Sequence, residues 1–152
     1  MKLKLFAICF LFTVGVATAQ EDFQVMKQKL PYHKVASSFG VNLIGVNEDF
    51  VIYNWQKFIE SHGGVTYVVS IDRGNIELDS EHVVCPFLAH QKADIHSRIT
   101  PNDDLTGVLL TIWIEKSNGT YYSSESDENS GVHINNWLEA FHNKLMALSR
   151  TH

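Results

Sequence analysis

The chain has 152 residues, a length that fits one folded domain, and a formal net charge of −5 from 12 basic and 17 acidic residues. An excess of acid without a cluster of lysines and arginines does not suit a protein that binds nucleic-acid phosphates or an anionic membrane surface. We therefore expect no nucleic-acid partner.

Residues 1–19 have the parts of an export signal. Two lysines precede an apolar run over residues 5–16, and Ala17-Thr18-Ala19 forms an A-x-A cleavage pattern before Gln20. Cys9 lies among bulky residues inside the apolar run, which disfavours lipid attachment. The pattern predicts a cleaved signal peptide, a periplasmic or secreted location, and no integral membrane segment after the signal is removed.

Residues 20–34 are mixed and polar, and we interpret them as an N-terminal arm that is poorly ordered or docks only at its end, before a single domain over residues 35–152. The domain begins with a strand over residues 35–46, in which apolar and polar side chains alternate. A helix follows from Asn47, a residue type that caps helix N-termini, and it ends before Gly63. Its apolar stripe consists of Val51, Trp55, Phe58 and Ile59.

Three strand-like runs come next, over residues 65–71, 76–84 and 92–99. A hairpin over residues 105–124 follows. In it, a type I′ turn at Asn118-Gly119 is predicted to join an apolar run to a short return strand, because both central residues of that turn need positive φ.

The last predicted element is an amphipathic helix that follows an acidic loop over residues 125–130. Its apolar residues lie at helical spacing, at Ile134, Trp137, Leu138, Phe141, Leu145 and Leu148. The order β-α-β-β-β-β-β-α predicts an α+β fold, a two-layer sandwich with two helices on one face of a mainly antiparallel sheet of five or six strands. A curved, helix-grip (START-like) version would leave a cavity under the last helix, and a flatter version would be ferredoxin-like or TBP-like. Both remain open.

Histidines are the first candidates for chemistry, since the chain has eight of them. A zinc site needs three or four ligands that converge on one point, and one possible group is His82, His90 and His96, as the metal site of a small metal-dependent hydrolase. The sequence contains no H-E-x-x-H motif, no nucleophile elbow and no Gly-rich phosphate-binding loop. It therefore predicts no cofactor and disfavours an enzyme.

Aromatic side chains are the second candidates. Trp113 and Tyr121 belong to the predicted hairpin, and Trp137 and Phe141 belong to the predicted last helix. If the inner side of the hairpin meets that helix, these four residues would line an apolar ligand-binding pocket. The alternative is that they only pack the core.

The export signal, the W-x-x-F-I pattern of Trp55, Phe58 and Ile59, the stretch TIWIEKSNGTYYSS at residues 111–124 and the closing helix together resemble a group of small exported proteins of Gram-negative bacteria with no assigned activity. The resemblance implies a periplasmic location and supplies no catalytic residue. We expect an exported, non-catalytic domain that binds a small apolar ligand or a protein partner, such as another envelope protein. The alternative is the histidine-based hydrolase.

Overall fold

The computed structural model describes residues 23–126 and 130–151, so the predicted signal peptide and its cleavage point lie outside the described residues. The described part contains six strands, two α-helices and two short 3₁₀ helices. They are β1 (Val25–Pro31), β2 (Val35–Ile44), α1 (Glu48–Glu60), β3 (Val65–Asp72), β4 (Asn75–Cys85), the 3₁₀ helix Pro86–Leu88, β5 (Gln91–Pro101), β6 (Gly107–Lys116), the 3₁₀ helix Ser124–Ser126 and α2 (Ser130–Ser149).

The six strands form one sheet in the order β1-β2-β6-β5-β4-β3, and every neighbouring pair in it is antiparallel. Strands β3 to β6 are consecutive along the chain and lie side by side, whereas α1 carries the chain from β2 to β3 at the far edge. We call the side of the sheet that packs against the helices the inner face and the opposite side the outer face. The predicted α+β sandwich is confirmed.

Helix α1 begins and ends where the sequence predicts. The Asn47 side chain accepts a hydrogen bond of 2.9 Å from the Phe50 backbone N–H, and two acidic residues occupy the first turn, where the helix dipole favours negative charge. At the other end Gly63 has a φ of 77°, which glycine adopts without steric strain. The Gly64 N–H then donates to the Ile59 carbonyl and turns the chain toward β3.

The core lies between the two helices and the inner face, because alternate strand residues and one stripe of each helix are apolar. Full burial of one such large side chain contributes about 1.5–3 kcal/mol relative to its exposure to water. The largest fully buried members of this core are Trp55, Phe39, Phe141, Leu43, Ile59, Leu78, Ile95, Ile99, Leu110, Ile112 and Ile114.

The N-terminal arm predicted over residues 20–34 is partly ordered strand. Strand β1 pairs with β2 over its whole length, from Val25 opposite Val41 to Pro31 opposite Val35. The sequence does not predict this strand, because five of its seven residues are exposed and its three central residues are all polar, so period-two alternation is weak. The backbone ladder holds this segment, and Val25 at its start also packs against the core.

The hairpin after β6 differs from its prediction at the turn. The Gly119 N–H donates to the Lys116 carbonyl, and the Lys116 N–H donates to the Thr120 carbonyl. These bonds leave a three-residue loop over residues 117–119. Gly119 has a φ of 75°, and Asn118 is not among the residues with positive φ, so the loop is a type I turn followed by a left-handed glycine and the predicted type I′ turn is wrong. The return strand is reduced to one isolated bridge at Tyr121.

Candidate functional site

Two of the predicted ligand-binding residues, Trp137 and Phe141, lie in the core. The Phe141 ring centroid is 4.9 Å from that of Trp55, and the Trp137 centroid is 5.0 Å from that of Phe58. The Trp137 indole N–H donates a hydrogen bond of 3.0 Å to His62 Nε2. His62 Nδ1, 2.8 Å from the Phe58 carbonyl, therefore carries the proton of a neutral imidazole. These rings fill the space beneath α2, where a curved, helix-grip sheet would leave a ligand cavity.

The other two predicted residues, Trp113 and Tyr121, lie on the outer face. Trp113 is fully buried there, and its indole N–H donates to the Leu30 carbonyl at 3.2 Å. The Arg98 guanidinium lies 5.0 Å from the Trp113 ring centroid, close enough for a cation–π interaction. Successive strand residues point to opposite faces, and Trp113 points away from the helices. The sheet therefore separates Trp113 and Tyr121 from Trp137 and Phe141, and the four aromatic residues do not form one pocket.

The three histidines of the alternative metal site do not converge. His82 lies in a bulge of β4 and His90 in the turn before β5, both exposed and both with positive φ. His96 lies within β5, with its side chain on the outer face. Among the described residues, no group of three or more histidine, cysteine, aspartate or glutamate side chains has the geometry of a metal site.

Cys85 is a buried thiol at the end of β4. Burial raises its pKa to about 12, so the thiol stays protonated near neutral pH. Since the thiolate is the reactive form of cysteine, Cys85 does not have the chemistry of a nucleophile in this fold.

A polar group on the outer face, which sequence reasoning did not find, surrounds His96. We call His96, Asp79, Glu115 and Tyr32 the His96 cluster. His96 Nδ1 lies 2.7 Å from Asp79 Oδ1, and His96 Nε2 lies 3.1 Å from Glu115 Oε2. The Tyr32 hydroxyl donates to the same Asp79 oxygen at 2.8 Å, and the Tyr32 ring stacks on His96 with centroids 4.5 Å apart. The histidine is only 8% exposed.

Both ring nitrogens of the His96 cluster's histidine face a carboxylate oxygen, and a protonated ring nitrogen donates to such an oxygen. The pKa of Tyr32 is raised, first because burial disfavours the phenolate and then because Asp79 accepts its hydrogen bond. The pKa of Tyr121 beside the cluster is raised by burial and by the charge of Glu115. Both tyrosines therefore remain neutral donors.

The two edges of the sheet are unlike each other. The outermost strand β1 carries Lys27 and Lys29 and ends at Pro31, features that hinder pairing with another strand. A surface ion pair of 3.4 Å also joins Lys29 to Glu125. Strand β3 has no charged residue from Val65 to Ile71. One edge is protected and the other is open.

The open edge exposes large apolar side chains on both faces of the sheet. Tyr67 is 51% exposed and Ile71 is 72% exposed, and Val65, Val68 and Val69 are also about half exposed. A bulge at Val69 interrupts the pairing of β3 with β4, which is regular over residues 65–68 and resumes at Ser70. A strand edge also presents unpaired backbone N–H and C=O groups.

Two open grooves lie near β1. One, of about 400 Å³, lies between Phe23, Val25 and Asn135, and the other, of about 270 Å³, lies between β1 and the segment at residues 123–125. Polar side chains contribute much of both linings. Neither groove has the apolar, enclosed character of a small-molecule site.

Comparison with protein-family models, with curated proteins and with solved structures finds no match for this chain. No helix in the described part of the chain combines the length and the apolar character needed to cross a membrane. The candidate functional features are therefore two features of the fold itself: the edge of β3 and the His96 cluster.

Proposed function

We propose that the chain is an exported, non-catalytic binding domain that recognises an extended segment of another polypeptide at the edge of β3. The observation that carries this proposal is the uncharged, exposed strand from Val65 to Ile71 at an open sheet edge. In strand addition, backbone hydrogen bonds supply affinity and alternate side chains supply specificity.

The surroundings of β3 favour a partner segment with basic flanks. Glu81 lies exposed on β4 opposite Val65, whereas Asp72 at the other end of the strand has Arg73 at 3.9 Å, so the acidic character is stronger at the Val65 end. The whole chain has a formal net charge of −5. A second copy would bring two acidic chains together, whereas an apolar segment between lysines or arginines complements the edge.

The filled space beneath α2 supports a polypeptide ligand over a small apolar ligand. Trp137 and Phe141 contact other rings there rather than lining an empty pocket. The absence of a converging metal group among residues 23–126 and 130–151 gives no support to the hydrolase alternative.

A peptide titration tests the proposal. The probe is a synthetic peptide of about seven alternating valine and threonine residues with two lysines at each end, since natural strands have about that length. We expect saturable changes in the amide NMR signals of β3. The double variant Tyr67→Lys/Val69→Lys should weaken binding at least tenfold, or about 1.4 kcal/mol, because lysines on an edge strand oppose pairing.

The matched control is Tyr53→Lys, on the exposed side of α1, where the tyrosine is 60% exposed. This variant should bind the peptide like the unmodified chain. Signal changes away from β3, or no binding, would contradict the proposal. If the free chain is already a dimer and the double variant makes it a monomer, the partner at β3 is a second copy of the chain and not a basic segment.

A further inference from the structure

On the inner face, the apolar layer of the core continues to the open edge of β3. Residues that pair directly across antiparallel strands share a face of the sheet. Val68 pairs with Leu78 and Ile71 pairs with Ile76, and both of these partners belong to the buried core. Val68 and Ile71 therefore lie on the inner face, but they are 48% and 72% exposed because β3 is the last strand of the sheet. A further strand would extend this apolar layer.

On the outer face, β3 lies beside a row of carboxylates. Three successive outer-face positions of β4 are acidic, and each of them pairs with an uncharged residue of β3. The pairs are Val65 with Glu81, Tyr67 with Asp79, and Ser70 with Glu77. Arg98 offsets the charge of Glu77 at 2.9 Å, whereas Glu81 is exposed to solvent. The same edge is therefore acidic on its outer side and apolar on its inner side.

The carboxylates of β4 are within reach of basic side chains on an added strand. Such a strand would lie about 10 Å from β4, twice the spacing of neighbouring strands. Lysine and arginine side chains cover much of this distance, which brings their charge within the Debye length of about 8 Å from the carboxylates. The Tyr67 ring, 51% exposed, lies on the same face between them and offers a surface on which a cation stacks.

We propose that the extended segment of the proposed function, on which this inference rests, is an amphipathic strand in which apolar and basic residues alternate. Its apolar side chains lie on the inner face beside Val68 and Ile71, and its basic side chains lie on the outer face beside Tyr67. A second copy of β3 does not have this pattern, since β3 carries no charged residue from Val65 to Ile71. The partner is therefore a different polypeptide, with lysine or arginine at every second position of the bound segment.

Two peptides of equal composition and charge test the alternation. One has about eight residues of alternating valine and arginine, and the other places all the valines before all the arginines. In an extended chain, only the alternating peptide collects its valines on one face. In an NMR titration it should bind at least about tenfold more tightly than the other peptide, because both of its faces then match the edge. Nuclear Overhauser effects should connect its valine methyl groups to those of Val68 and Ile71.

A matched pair of variants assigns the two faces. Val68→Glu and Tyr67→Glu introduce the same side chain at adjacent, half-exposed positions that point to opposite faces. Val68→Glu should weaken binding of the alternating peptide at least about tenfold, since a carboxylate among apolar side chains is unfavourable. Tyr67→Glu should change the affinity by no more than about threefold, because the new charge faces the arginines. Urea unfolding of both variants controls for a loss of stability.

The outcomes separate the alternation from the binding role of β3. Equal affinity for the two arginine peptides, or equal losses in the two variants, would overturn the alternation and leave the binding of extended segments intact. The same holds if the lysine-flanked valine–threonine peptide binds β3 and neither arginine peptide does. If none of the three peptides binds at β3, both proposals fail.

Discussion

Trp55 links both helices to the sheet, and its replacement by phenylalanine gives the sharpest test of the packing. The Trp55 indole N–H donates a hydrogen bond of 3.0 Å to the Ser97 hydroxyl on β5, and both residues are fully buried. Its ring also lies 5.8 Å from the Trp137 ring. Trp55→Phe removes one buried hydrogen bond, for about 1–3 kcal/mol, and leaves a small cavity, for about 1 kcal/mol. We expect the free energy of unfolding to fall by about 2–4 kcal/mol.

Urea unfolding measures this loss, and the dependence of the free energy on urea concentration should stay unchanged, because the fold is retained. The double variant Trp55→Phe/Ser97→Ala should recover at least about 1 kcal/mol relative to the sum of the single losses, since neither polar partner is then left alone. Tyr53→Phe, exposed on the same helix, should change stability by no more than about 0.5 kcal/mol. A loss below about 1 kcal/mol for Trp55→Phe, or strict additivity in the double variant, would refute this account of the core.

Two further predictions concern backbone packing and pH. A Cβ at Gly107 would overlap the Leu43 carbonyl where β6 meets β2, so Gly107→Ala should lower the free energy of unfolding by at least about 3 kcal/mol. The control is Gly45→Ala, at an open position with a φ of 75°, which should lower it by only about 1–2 kcal/mol. Equal losses in thermal unfolding would contradict the close approach of β2 and β6. The pKa of Cys85 is raised from 9.0 to about 12, so above pH 9 only the unfolded thiol ionises and stability should fall with rising pH, by about 1.4 kcal/mol per unit more than in Cys85→Ala. Parallel pH profiles of the two proteins would show that the thiol is not shielded from water.

The helices could be predicted because their signals are local. The cap at Asn47 and the stripe through Val51, Trp55 and Phe58 follow a period that only an α-helix places on one side. Strand β1 could not be predicted, because lysines suit an exposed sheet edge and interrupt the alternation of apolar and polar residues that indicates a strand.

The His96 cluster was beyond the sequence for a different reason. Asp79, His96 and Glu115 belong to three strands and meet only because β4, β5 and β6 pair in one register. A shift of one residue in any of these strands would move its cluster side chain to the other face of the sheet, and no local sequence pattern predicts the register. The run around Trp113 is apolar at nearly every position, so alternation could not place its indole on the outer face.

Amide hydrogen exchange of the chain with and without the lysine-flanked valine–threonine peptide tests the binding role of β3 most directly, because strand addition must form new backbone hydrogen bonds. The account predicts slower exchange of alternate amides within residues 65–68 in the presence of the peptide and unchanged exchange in β1. Unchanged exchange in β3, or equal protection of β1, would contradict it.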